Sequence, residues 1–175
     1  FKTDVSDSFS RTLWKRSNGN PMFIIEIMVD LIRKKKFLAS ETLDFNVNFD
    51  EYQLPEELVH SIYNRMSHLS ATSYRYLQKL SCIYTPLTMD LVMDILKISR
   101  KTLYNLLTDA VSNEMLFKEN GLYEFNFQEA KNRFFKECTD YVRVDISKQL
   151  IQYYKTHENL DIQIIQGLIK NCSLC

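Results

Sequence analysis

The stretch Met115-Leu116-Phe117-Lys118-Glu119-Asn120-Gly121-Leu122-Tyr123-Glu124-Phe125-Asn126-Phe127 breaks the pattern of everything before it. Two short runs, 115 to 118 and 122 to 127, flank Asn120-Gly121. That dipeptide accepts the positive φ angles of a two-residue hairpin turn. The spacing therefore predicts a β-hairpin at this point.

Working back from the hairpin, the period is helical. Ser99 caps a predicted helix whose Leu103, Leu106, Leu107, Ala110 and Val111 face inward. Thr88 caps another, with Leu91, Val92, Ile95 and Leu96, and Ser70 a third, with Tyr74, Leu77 and Leu80 or Ser81. Pro55-Glu56-Glu57 opens a fourth, with Leu58, Ile62 and Leu69 roughly on one side. Short helices followed by a hairpin give the order of a winged helix, expected over residues 55–140. Downstream, helices return over roughly 128–139, 141–156 and 160–172. Residues 141–175 read as the start of a helical, TPR-like repeat array.

At the other end, a helix over 6–17 with Phe9 and Leu13 inward stops at Ser17-Asn18-Gly19. Asn20-Pro21 restarts a helix at once, because Asn20 can accept the free N–H groups and Pro21 suits the first helical position. Phe23, Ile24, Ile27, Met28, Leu31 and Ile32 form its apolar face, and Lys34-Lys35-Lys36 places cations at its negative end. This makes a small helical subdomain over 1–40. Residues 41–54 follow as a linker, in which Leu43, Phe45, Val47 and Phe49 alternate with polar residues in extended fashion. The fold class is mainly α: a small helical lid, a winged-helix domain with one hairpin, and the beginning of a repeat array.

Composition agrees with a folded, helix-rich chain. Of 175 residues 45% are hydrophobic and 13% aromatic, while Gly and Pro number only three each. Lys plus Arg and Asp plus Glu are both 22, so no basic excess points to nucleic acid. No apolar run approaches the ~18 to 20 residues that span a bilayer, and there is no signal peptide, so no membrane partner is expected. The chain opens on Phe1 rather than Met, which reads as a piece cut from a longer protein. The four cysteines, Cys82, Cys138, Cys172 and Cys175, form no disulfide framework, which suits a reducing cytoplasm.

Three segments carry a resemblance. Leu13-Trp14-Lys15-Arg16-Ser17-Asn18-Gly19-Asn20-Pro21-Met22-Phe23-Ile24-Ile25-Glu26-Ile27 resembles the Arg-[Ser/Thr]-x-Gly-Asn-Pro-x-[apolar] run of the STAND-class, AAA-related signal-transduction ATPases. Leu54-Pro55-Glu56-Glu57-Leu58 with Asn64-Arg65-Met66-Ser67-His68-Leu69-Ser70 is similar to that family's Leu-Pro-x-x-Leu helix and its Arg-x-x-x-Leu-[Ser/Pro] ending. Tyr123-Glu124-Phe125 is similar to the family's Tyr-x-Phe winged-helix strand. The matches run from residue 11 to about 140.

The resemblance implies the order nucleotide-binding domain, helical lid, winged helix and helical repeats. ATP or ADP with Mg would belong to the full-length protein, and none to this chain alone. The resemblance also places Arg16, Gly19, Asn20 and Pro21 near the nucleotide in the intact protein. Family members often carry a His just after the Tyr-x-Phe strand, where it reads the phosphates. Phe127 stands there instead, so that contact does not carry over. The implied partners are the upstream nucleotide-binding domain, the downstream helical repeats and other proteins.

The chain has no Gly-x-x-x-x-Gly-Lys-[Ser/Thr] loop to cradle a triphosphate, so no catalysis is expected of it. His60, His68 and His157 form no evident metal or triad set, and Cys172-x-x-Cys175 is half a zinc site without its other half. Metal ligands and catalytic residues are accordingly none. A DNA-binding regulator is the competing reading, with Arg100, Lys101 and Asn105 on the candidate recognition helix. Residues 55–127 hold seven Lys and Arg against eight Asp and Glu, the wrong sign for phosphate neutralisation. A third reading is a protein-interaction adaptor using Ile164, Ile165 and Ile169 of the last helix.

Overall fold

A computed structural model describes residues 6–17, 19–34 and 52–156. The described residues form eight helices and one antiparallel hairpin. They are α1 (Asp7–Ser17), α2 (Pro21–Arg33), α3 (Glu56–Ser67), α4 (Ala71–Leu80), α5 (Met89–Leu96), α6 (Arg100–Ser112), β1 (Leu116–Glu119), β2 (Leu122–Phe125), α7 (Gln128–Glu137) and α8 (Asp140–Thr156). No helix among the described residues is long and apolar enough to cross a membrane. The chain divides into two compact units, with the break inside α3 after Asn64.

In the first unit α1 packs on α2. Phe9 and Leu13 of α1 and Phe23, Ile27 and Leu31 of α2 are buried, at the four-residue spacing that keeps side chains on one helix face. Ile32 of the expected apolar face is exposed instead, because it lies about 100° around the helix from Leu31. Tyr52 is buried and donates its hydroxyl to Asp30 Oδ2 at 2.7 Å. Lys34 Nζ sits 2.9 Å from the same Asp30 carboxylate and 5.4 Å from the centre of the Tyr52 ring. The extended linker expected over 41–54 lies outside the described residues as far as Glu51; Tyr52 to Leu54 carry no regular structure.

The second unit is built around α4, which touches α5, α6, α7 and α8. Helices α4, α5 and α6 each start where a short polar side chain satisfies an orphan donor. Ser70 Oγ accepts from Ser73 N at 3.1 Å, Thr88 Oγ1 from Leu91 N at 3.1 Å, and Ser99 Oγ from Thr102 N at 3.2 Å. The centre is filled by Leu77, Leu80, Ile95, Leu103, Met115, Leu116, Phe127 and Phe134, all essentially inaccessible. The Tyr74 ring meets Phe134 edge-on at 5.0 Å. On α6, Leu103, Leu106, Leu107 and Ala110 are buried as expected, but Val111 is 39% exposed. Leu103, Leu107 and Ala110 already complete the buried stripe, and Val111 falls on its flank.

The hairpin turns at Asn120 (φ 51°) and Gly121 (φ 82°), with Glu119 opposite Leu122, Lys118 opposite Tyr123, Phe117 opposite Glu124 and Leu116 opposite Phe125. The loop between α4 and α5 adds to β2: Leu87 and Tyr123 exchange both backbone hydrogen bonds, each 2.9 Å. α8 packs against α5 and α4 within this same unit. The helix expected over 160–172 lies outside the described residues.

Candidate functional site

The corner between α1 and α2 is built from the sequence upward. Gly19 sits at φ +65°, a conformation that costs L-residues with side chains but not glycine. Its N–H donates to Trp14 O at 3.0 Å, and Asn20 N donates to Ser17 O at 2.9 Å, which uses carbonyls left over at the end of α1. Asn20 is extended at φ −72°, ψ 116°, and its Oδ1 accepts from Met22 N at 3.0 Å and Phe23 N at 3.5 Å. Pro21 occupies the first turn of α2, where its missing N–H has no consequence.

Trp14 lies against Gly19: a Cβ added there would approach Trp14 Nε1 to 2.9 Å. The indole is nevertheless 53% exposed, and Met22 is 62% exposed just after the exposed Pro21. The corner thus leaves the apolar side chains of Trp14, Pro21 and Met22 exposed, while the Asn20 side chain takes up two of the N–H groups that open α2. An anion at this helix start would have to displace Asn20 from those donors.

Arg16 is half-buried near the end of α1. Its charge acts on Tyr52, whose hydroxyl is pushed well above the ordinary range by burial first and by the neighbouring Asp30 carboxylate next, with Arg16 opposing. The four residues expected near nucleotide are therefore close in sequence but differ in role: Gly19, Asn20 and Pro21 form the turn, and Arg16 belongs electrostatically with Tyr52.

In the second unit, Arg100, Lys101 and Asn105 are all exposed, together with Tyr104 and Thr108, on the side of α6 opposite its buried leucines. They share one solvent face. Lys118 at the hairpin lies 5.5 Å from the Tyr123 ring centre. Phe127, at the position where the resemblance would place a phosphate-reading His, is 1% exposed and begins α7 without a side-chain cap. The Arg65 guanidinium lies 5.9 Å from its ring centre. Phe127 thus fills the core.

Among the described residues no group of three His, Cys, Asp or Glu side chains could hold a metal. His60 and His68 are exposed on α3 and just after it; His157, Cys172 and Cys175 lie outside the described residues.

Two arrangements escaped the sequence reading. Arg143 is only 8% exposed; its Nη2 donates to Phe135 O at 2.8 Å and Lys136 O at 3.4 Å, its Nη1 to Asp140 Oδ1 at 2.9 Å, and its guanidinium lies 4.4 Å from the Phe135 ring centre. The signal was present, since Arg143 shares the stripe of Ile146, Leu150 and Tyr154. The second is the meeting of Cys82 and Cys138, both buried, with their sulfurs 3.8 Å apart. Those two cysteines looked scattered in the sequence, and no local pattern announces a contact across 56 positions. The chain matches no family model, no curated protein and no solved structure.

Proposed function

We propose that this chain is a non-catalytic regulatory and scaffolding segment of a larger, cytoplasmic STAND-type signalling ATPase. Residues 1–40, with α1 and α2, would be the helical lid, 41–54 a linker, 55–140 a winged helix and 141–175 the start of helical repeats. Nucleotide state, held by an upstream domain binding ATP or ADP with Mg, would change how lid and winged helix pack on that domain. The repeats would read the signal.

The observation that carries this reading is the α1–α2 corner. A left-handed Gly19, an Asn20 cap and an exposed Pro21 form a preorganised turn with exposed apolar side chains, suited to lie along an adenine ring. The winged-helix assignment is supported by the order of elements from α4 to β2 and by the Leu87–Tyr123 bridge, which lays a third extended segment beside the hairpin. Phe127, buried in the core, leaves phosphate sensing to other residues.

The purified chain should release no phosphate from ATP above a buffer blank. Measurable turnover that survives repeated purification would overturn the reading. In the parent protein a phosphate-binding loop should stand upstream of Phe1, and a parent sequence without one would overturn it equally.

The exposed face of α6 favours one second reading, a DNA-binding regulator. Arg100, Lys101 and Asn105 could reach a groove, although the net charge around them opposes it. Salt-sensitive duplex binding in a mobility-shift assay, lost on Arg100→Ala with Lys101→Ala, would favour DNA.

A further inference from the structure

We propose that Cys82 and Cys138 are a reversible disulfide pair that clamps the end of α4 to the α7–α8 junction under oxidising conditions. The inference rests on placement. Cys82 lies two residues past the end of α4, and its N–H donates to Lys79 O at 3.2 Å. Cys138 closes α7 in extended conformation at φ −74°, ψ 129°. Both thiols therefore sit at helix ends, where small backbone adjustments leave the helix interiors intact. Their sulfurs are 3.8 Å apart and in contact. A disulfide needs about 2.05 Å, so closure asks for a shift of less than ~2 Å, shared between two side chains.

The two sulfurs are not equivalent. Cys82 is completely buried, whereas Cys138 is 5% exposed and is followed by the exposed Thr139 and Asp140. Contact with Cys82 and the charges of Arg143 and Lys79 lower the Cys138 thiol from its ordinary value, against burial and Asp140. The hydrogen bond to Cys138 and burial push the Cys82 thiol up, with Arg143 opposing. Cys138 is thus the attacking thiol and Cys82 the resolving one.

The oxidant is a low-molecular-weight disulfide. The Cys138 thiolate attacks one of its sulfurs, and the departing thiolate takes up the proton Cys138 has lost. Cys82 then attacks Cys138 Sγ, expels the second small thiolate and gives it its own proton. Two protein thiols are oxidised, and one external disulfide is reduced to two thiols.

The test uses the full chain with Cys172→Ser and Cys175→Ser, so that only the buried pair can react. After equilibration with oxidised glutathione, intact mass should fall by the two hydrogens of one internal disulfide. Peptide mapping should join Cys82 to Cys138. The unfolding midpoint followed by circular dichroism should rise by at least about 5 °C and return with dithiothreitol. In the same background Cys82→Ala should trap a stable glutathione adduct on Cys138, while Cys138→Ala should leave Cys82 unmodified. Two free thiols after equilibration, or a stable glutathione adduct with both cysteines present, would overturn the pair. An unchanged midpoint in the linked protein would overturn the clamp, and preferential adduct formation on Cys82 would overturn the order of attack.

Discussion

Replacing Gly19 with alanine separates the two physical demands made by the α1–α2 corner. At φ +65° an alanine pays the left-handed penalty, about 1–2 kcal/mol. The new Cβ also meets Trp14 Nε1 at 2.9 Å and Cε2 at 3.3 Å, too close to keep. Trp14 is half in solvent, so the indole swings outward more cheaply than the backbone moves, and the conformational term dominates. The first unit should lose about 1–2 kcal/mol, roughly a five- to thirtyfold rise in its unfolded fraction. Trp14 is the single tryptophan of the chain, so urea unfolding followed by its fluorescence reports the first unit alone. The folded emission should also shift to the red as the ring leaves Gly19. In a Trp14→Ala background, followed by circular dichroism, Gly19→Ala should still cost the backbone term but no longer the contact term. A Gly19→Ala variant with an unchanged urea midpoint and unchanged emission would refute the account of the corner.

Arg143→Met keeps most of the side-chain volume but removes the donors to Phe135 O and Lys136 O, so the second unit should lose about 2–3 kcal/mol in chemical denaturation. A neutral result would mean that relief of guanidinium desolvation cancels the lost bonds. Thr88→Ala removes the acceptor for Leu91 N and should cost about 1 kcal/mol, measurable as a lower urea midpoint at constant slope. The Tyr74–Glu137 pair, joined by a 2.6 Å hydrogen bond, should give two pH limbs. Burial, reinforced by the Glu137 carboxylate, pushes Tyr74 up to about 12, so its contribution is full below the unfolded value of about 10 and lost as pH rises toward 12. Burial would raise Glu137, but hydrogen bonds from Tyr74 and Arg133 outweigh it and lower the group. That contribution is full above about pH 4.3 and lost as pH falls through the depressed value. Tyr74→Phe should shrink the alkaline limb, to which raised Tyr84, Tyr153 and Cys82 also contribute, and weaken the acid one in pH-dependent unfolding; an unaltered alkaline limb would assign it to those other groups.

The sequence by itself determined the local events, because their causes are local. Asn20, Ser70, Thr88 and Ser99 accept backbone N–H groups two or three residues ahead, so the starts of α2, α4, α5 and α6 are written within one turn. Asn120 and Gly121 take positive φ where their dipeptide predicts it. The buried faces of α4 and α5 and most of α6 follow from the helical period. The period marks the centre of a stripe better than its edges, which is why Ile32 and Val111 turn out exposed. Tertiary structure alone decided what meets across distance. The Leu87–Tyr123 pairing, the Tyr74–Glu137 bond, the Cys82–Cys138 contact and the partners of buried Arg143 depend on how α4 gathers its neighbours. Chain closure over dozens of residues costs entropy that only the assembled core repays, so no short-range pattern encodes these contacts.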